Sequence, residues 1–118
     1  VSAPFHCKLM KPAAEIMKKE LDNCKIKKPN CPIIMNVDAE LHNDEDNIKY
    51  NLYKQITDIV RWKEIIEKIN SLNFQNAFEI GNGRTLSSLV RKISPNLKCD
   101  GISDTKNINA FFEDKNYD

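Results

Sequence analysis

The chain has 118 residues, 41% hydrophobic and 30% charged, and its 18 Lys+Arg stand against 17 Asp+Glu for a formal charge of +1. That is chain for one hydrophobic core rather than two. No apolar run approaches the ~18 residues of a membrane-crossing helix, and the balanced charge argues against a dedicated nucleic-acid binder, which carries a basic excess.

Between 8 and 24 the apolar positions Leu9, Ala13, Ile16, Met17, Leu21 and Cys24 recur at three- and four-residue steps, the signature of one helix face. Pro12 falls in the first turn, where a missing N–H is tolerated. Pro29 and Pro32 then break the pattern, and the run 33–37 (IIMNV) reads as a buried strand. The stretch 38–46 holds five acids and no Lys or Arg, which predicts a solvated loop. Asn43 is the expected cap of a helix over 44–56 with Ile48, Leu52 and Ile56 inward, and 60–72 repeats the period with Trp62, Ile65, Ile66 and Ile69. A second strand over 76–80 runs into Gly81-Asn82-Gly83, followed by a helix with Leu86, Leu89, Val90 and Ile93 inward, a third strand over 97–103 and a short helix over 105–112. Such alternation predicts an α/β fold, a partial open, mainly parallel sheet with flanking helices.

Few residues carry chemistry. Cys7, Cys24, Cys31 and Cys99 form no C-x-x-C and, with His6 and His42, no zinc spacing, so reduced and mostly buried thiols and no metal are expected. His42 beside Asp44, Glu45 and Asp46 reads as part of the acidic loop rather than as a ligand set. A Cys7–His6 pair is disfavoured because neighbours in extended chain point to opposite faces. His6 lies between a proline-stiffened stretch and a helix start, where an imidazole can serve as a general base. The glycines of Gly81-Asn82-Gly83 allow a tight turn, with the alternative that the helix N-terminus presents N–H groups to an anion. The three glycines, Gly81, Gly83 and Gly101, form no G-x-S-x-G, so the chain has no nucleophile elbow.

Four stretches carry a resemblance: VSAPFH with LMKPAAE at 1–15, PIIMNVDA at 32–39, QITDIVRW at 55–62 and FEIGNGRTL at 78–86. In this order they resemble the malonyl-CoA:acyl carrier protein transacylases, from the catalytic histidine onward. Gly81-Asn82-Gly83-Arg84 departs from the family's usual G-P-G-K. The resemblance implies the C-terminal part of an α/β-hydrolase-like acyltransferase large domain over 1–118, with the nucleophile-bearing and ferredoxin-like segments absent. It implies malonyl transfer in fatty-acid synthesis, through an acyl-serine, from malonyl-CoA to the phosphopantetheine thiol of acyl carrier protein. No bound cofactor is implied, coenzyme A entering as the thioester substrate. His6 is implied as the catalytic base, its tautomer held by the main-chain carbonyl of Gln55. Asn36 and Asp38 are implied at the wall of the site as supports and not catalysts, Asn36 with Phe5 on the substrate-binding side. Phe5 is implied as the bulky residue that disfavours an α-methyl group, a preference of roughly 1–3 kcal/mol.

The implied partners are malonyl-CoA, acyl carrier protein and the upstream part of the same polypeptide, without nucleic acid or membrane. Val1 in place of Met implies either a removed leader or a start inside a longer chain. The implied location is intracellular, the cytoplasm in a bacterium and a plastid-like organelle or the mitochondrial matrix in a eukaryote. The competing class is a non-catalytic acyl-carrier-protein-binding module. Its basis is the surplus of Lys8, Lys11, Lys18, Lys19, Lys25, Lys27 and Lys28 over Glu15, Glu20 and Asp22, a face that an acidic carrier could meet. Apolar strands without upstream neighbours also lead us to expect that the chain needs its other half for a clean monomeric fold.

Overall fold

A computed structural model describes residues 4–114; Val1, Ser2 and Ala3 of the VSAPFH stretch, and 115–118, lie outside the described residues. The chain divides into two compact units, Val1–Lys68 and Ile69–Asp118.

In the first unit the helix expected over 8–24 is split. Lys8–Met10 forms a single 3₁₀ turn and Lys11–Asn23 the helix α1, with Pro12 in its first turn. The helix stops where Cys24 turns extended (ψ 132°), its N–H donating to the carbonyls of Glu20 and Leu21. The predicted apolar stripe is present but uncovered: Leu9 is 75% and Ile16 67% exposed, and Ala14 is the fully buried residue of the helix.

The strand expected over 33–37 is shorter and paired differently. Only Ile33–Ile34 (β1) is extended, and it pairs antiparallel with Leu41–His42 (β2), Ile33 opposite His42. The β-branched run is cut by a turn, in which Ala39 N donates to Met35 O at 3.0 Å and Met35 N to Glu40 O at 3.2 Å, with Ala39 at φ +56°. Residues 38–46 are therefore not a solvated loop, because most of their acids have local partners. Asp38 contacts His42 at 2.7 Å and Glu40 accepts from Lys68 Nζ at 3.0 Å. Asp44, rather than Asn43, caps Glu45–Lys54 (α2), its Oδ1 accepting from Asn47 N at 2.9 Å. Those N–H donors hold the exposed Asp44 carboxyl below its ordinary value, as an anion at a helix N-terminus should be.

Ile48 is buried in α2, and Ile65 and Ile66 in Trp62–Ser71 (α3). Tyr53 ties α2 to α1 by donating to Glu15 Oε1 at 3.1 Å, and the carboxylate holds the phenol proton, pushing the Tyr53 titration up.

In the second unit Asn76–Ile80 (β3) and Lys98–Ile102 (β4) pair in parallel, Asn76 opposite Lys98 through Ile80 opposite Ile102. Among the described residues the sheets are thus two two-stranded ones, and the first strand does not join the parallel pair. The crossover is Thr85–Ile93 (α4), and Thr105–Glu113 (α5) follows, capped by Asp104. Phe78 and Phe111 meet edge to face at 5.0 Å. Val90 and Ser87 are the buried positions of α4, whereas Leu86 and Leu89, expected inward, are 42% and 37% exposed.

The start of α4 is settled by Glu79. Its carboxylate accepts from Leu86 N at 3.1 Å, Ser87 N at 2.8 Å and Ser87 Oγ. The helix N-terminus already holds an anion from its own chain, so the glycine turn, with Gly81 at φ +137° and Gly83 at φ +85°, is a connector and not an anion site. The Ser87 hydroxyl first, then the two amides, hold the Glu79 carboxyl below 4.5, the ordinary value. A carboxyl whose value is lowered by folding stabilises the fold above its unfolded value and loses that contribution as pH falls through the folded one. Hydrogen-exchange protection of the Leu86 and Ser87 amides is therefore expected to hold at neutral pH and to decline as acid protonates the Glu79 carboxylate. In Glu79→Ala it should be low at every pH; unchanged protection would remove the cap.

All four cysteines are free; Cys24 and Cys31 are exposed and Cys7 and Cys99 half-buried, so none is the buried thiol expected. Cys24 ends a helix and Cys31 lies in the connection after it, places no core reaches. Among the described residues no His, Cys, Asp and Glu cluster is arranged for a metal, and no helix is long and apolar enough to cross a membrane.

Candidate active site

The site is built in the first unit, where the segment entering the 3₁₀ turn meets the C-terminus of α2. His6 sits at φ +56°, a left-handed conformation that costs a non-glycine residue about 1–2 kcal/mol. What holds it there is a hydrogen bond from its ring: Nδ1 lies 2.7 Å from the main-chain oxygen of Gln55. A carbonyl oxygen only accepts, so Nδ1 carries the proton. In the neutral ring Nε2 is then the bare, basic nitrogen. Among the described residues Nε2 has no hydrogen-bond partner.

Gln55 is positioned in turn. It caps α2, its N–H donating to Asn51 O at 3.0 Å, with Asn51 itself buried. Its side-chain Oε1 accepts from Asn36 Nδ2 at 3.0 Å. A helix C-terminus leaves carbonyls unsatisfied, and that is why a main-chain oxygen is available to the imidazole.

His6, Phe5 and Gln55 line one cavity of about 350 Å³ with Met10, Ala13, Met17 and Ile56. Phe5 is 57% exposed at its wall. Among the described residues the lining is apolar apart from the imidazole and the amide, and it holds no hydroxyl, thiol or carboxylate. Asn36 is not among the lining residues; the structure brings it to Gln55. Ala13 and Met17 are in the apolar face expected from the sequence and Met10 is not, although the spacing of three and four puts all three on one face, next to His6.

The other candidates lie elsewhere. Cys7 turns its thiol to the Pro4 carbonyl at 3.0 Å and makes no pair with His6. Partial burial alone would push the Asp38 carboxyl up, but the Glu40 N–H and the His42 ring outweigh it and the net value is lowered. That pair fastens the β1–β2 turn, and Asp38 does not line the cavity.

The site therefore offers one oriented imidazole beside an apolar cavity, with no nucleophile in the lining among the described residues. Comparison with known proteins supplies the context. No protein-family model matches the chain. The malonyl CoA-acyl carrier protein transacylase of Bacillus subtilis (strain 168) is 43% identical over 108 residues, 92% of this chain and 34% of that protein. Among solved structures, the acyl-carrier-protein-S-malonyltransferase from Bartonella henselae superposes with a TM-score of 0.88 at 38% identity, over 96% of this chain and 36% of that one. A malonyl-transacylase solved in complex with a type II PKS acyl-carrier protein gives 0.88 at 33% identity, over 98% and 37%. The chain spans about a third of the length of the relatives it matches. Over nearly all its residues, in sequence and in fold, this chain is similar to one third of a malonyl CoA-acyl carrier protein transacylase.

Proposed function

We propose that this chain supplies the proton-carrying half of a malonyl transferase site, the C-terminal part of an acyltransferase large domain. The nucleophile comes from sequence outside residues 1–118. The observation that carries this reading is the 2.7 Å contact between His6 Nδ1 and the Gln55 carbonyl, which orients an imidazole whose second nitrogen is bare. The names of the relatives and their threefold greater length support it, as does a cavity whose described lining residues include no nucleophile.

In this reading His6 Nε2 takes the proton of a serine hydroxyl as its oxygen attacks the thioester carbonyl of malonyl-CoA. The tetrahedral intermediate collapses, the C–S bond breaks, and the imidazolium returns the proton to the leaving coenzyme A sulfur. In the second half Nε2 takes the proton of the carrier's phosphopantetheine thiol. The sulfur attacks the malonyl-serine and the serine oxygen leaves with the proton. The Gln55 carbonyl keeps Nδ1–H in place and stabilises the imidazolium in both halves, the part an aspartate plays in Ser-His-Asp triads. Phe5 forms the wall against which an α-methyl group would clash. The partners are malonyl-CoA, acyl carrier protein and the remainder of a transacylase polypeptide. The experiment is to locate the malonyl group after reaction with malonyl-CoA, which this reading puts on a hydroxyl outside residues 1–118.

A further inference from the structure

We infer that Asn36 is a positioning residue for the His6 imidazole, acting through Gln55, and not a contact of the substrate. The inference rests on the reading of His6 as the proton carrier and deepens it.

Asn36 holds the His6-binding segment at both of its ends. Its side-chain Nδ2 donates to Gln55 Oε1 at 3.0 Å, and its main-chain oxygen accepts from Arg61 N at 2.9 Å, where the chain enters α3. Residues 55–61 are thereby fastened to the β1–β2 turn, which is itself tied by the Asp38–His42 contact at 2.7 Å. Gln55 uses its main-chain N–H on Asn51 O, its side-chain oxygen on Asn36 and its main-chain oxygen on His6 Nδ1. The direction of the Gln55 carbonyl is therefore set from two sides, by the last turn of α2 and by Asn36.

The amide pair is half-buried, so breaking it leaves polar atoms poorly solvated and the segment without its anchor. Meanwhile His6 sits in a left-handed conformation and depends on that carbonyl to stay there. Asn36 is absent from the cavity lining while Gln55 and His6 are present. A contact of this kind controls how often Nε2 is aimed at the reacting proton and leaves the walls that bind the acyl group alone. Displacement of a catalytic group by about 1 Å can cost ~10²-fold in rate.

The test uses a transacylase-length polypeptide containing residues 1–118. Asn36→Leu is expected to lower kcat for malonyl transfer by roughly 10- to 100-fold with KM for malonyl-CoA unchanged. Gln55→Leu, which keeps the main-chain carbonyl but loses the side-chain acceptor, should lower kcat similarly, and the double variant should fall no further than the worse single one. The ¹⁵N spectrum of the His6 ring should change from one tautomer, with Nδ1 protonated, to a mixture. Asn36→Ser, too short to reach Gln55, repeats the measurement should the leucine variant fail to fold. A raised KM with unchanged kcat would make Asn36 a substrate contact and overturn the inference. So would unchanged kcat in Asn36→Leu while His6→Ala is inactive. If His6→Ala itself keeps full activity, the reading beneath is what has failed.

Discussion

Replacing His6 by alanine in a transacylase-length polypeptide that carries residues 1–118 is expected to slow malonyl transfer by roughly 10²–10⁴-fold. The imidazole moves protons in both halves of the proposed cycle, so no acyl-serine should accumulate before a slow first step, and KM for malonyl-CoA should change little. The prediction follows from geometry more than from residue type. Nδ1 is engaged at 2.7 Å by a carbonyl that can only accept, which leaves Nε2 without a proton in the neutral ring. Steady-state and single-turnover rates check it, and a loss smaller than tenfold would take the proton-carrying role from His6.

The second large effect is on stability. Ile66 is 1% exposed, the most completely buried large side chain among the described residues. Ile66→Ala should remove about 2–5 kcal/mol, the transfer free energy of the lost methyl groups plus the cavity they leave. On the same helix, Lys63 has a side chain 77% exposed and pairs with Glu67 at 3.7 Å. Lys63→Ala should stay within about 0.5 kcal/mol of the parent, because an exposed i,i+4 pair is screened by water. Denaturant midpoints separate the two, and a loss below 1 kcal/mol for Ile66→Ala would mean that the site around it collapses freely.

These two predictions also mark what could be read from residues alone. Period identified the helices expected over 8–24, 44–56 and 60–72 and the one after Gly83, with ends displaced by a few positions, because amphipathic spacing is a strong signal. It could not say what each stripe packs against. Leu9 and Ile16 belong to a correct helical face that nothing covers among the described residues, since the partner of a face is not written in its own spacing. The β1–β2 pair escaped because two-residue strands have no measurable period, and its acidic composition pointed to a loop. The acids turned out to be a cap, a histidine contact and a lysine contact, each a three-dimensional relation between residues ordinary in sequence.

The same holds at the site. His6 and Gln55 are 49 positions apart, and periodicity alone does not join them; the pairing came from motif resemblance, and the structure gives its distance. A main-chain carbonyl as orienting group leaves no residue-type signature at all. The part of Glu79 was hidden for the same reason. A glycine turn before a helix suggested an open N-terminus, whereas a carboxylate reaching forward from the preceding strand already occupies it.

The central claim is a division of labour, with the base in this chain and the nucleophile outside it. Its most direct test is to quench a transacylase-length polypeptide after brief exposure to malonyl-CoA and map the malonyl group by peptide mass analysis. The same exposure is given to the His6→Ala variant and to residues 1–118 alone. The account predicts malonyl on a serine outside residues 1–118 in the parent polypeptide, little in His6→Ala, and none on the 118-residue chain. Malonyl on a serine or cysteine within residues 1–118, or full labelling in His6→Ala, would contradict it.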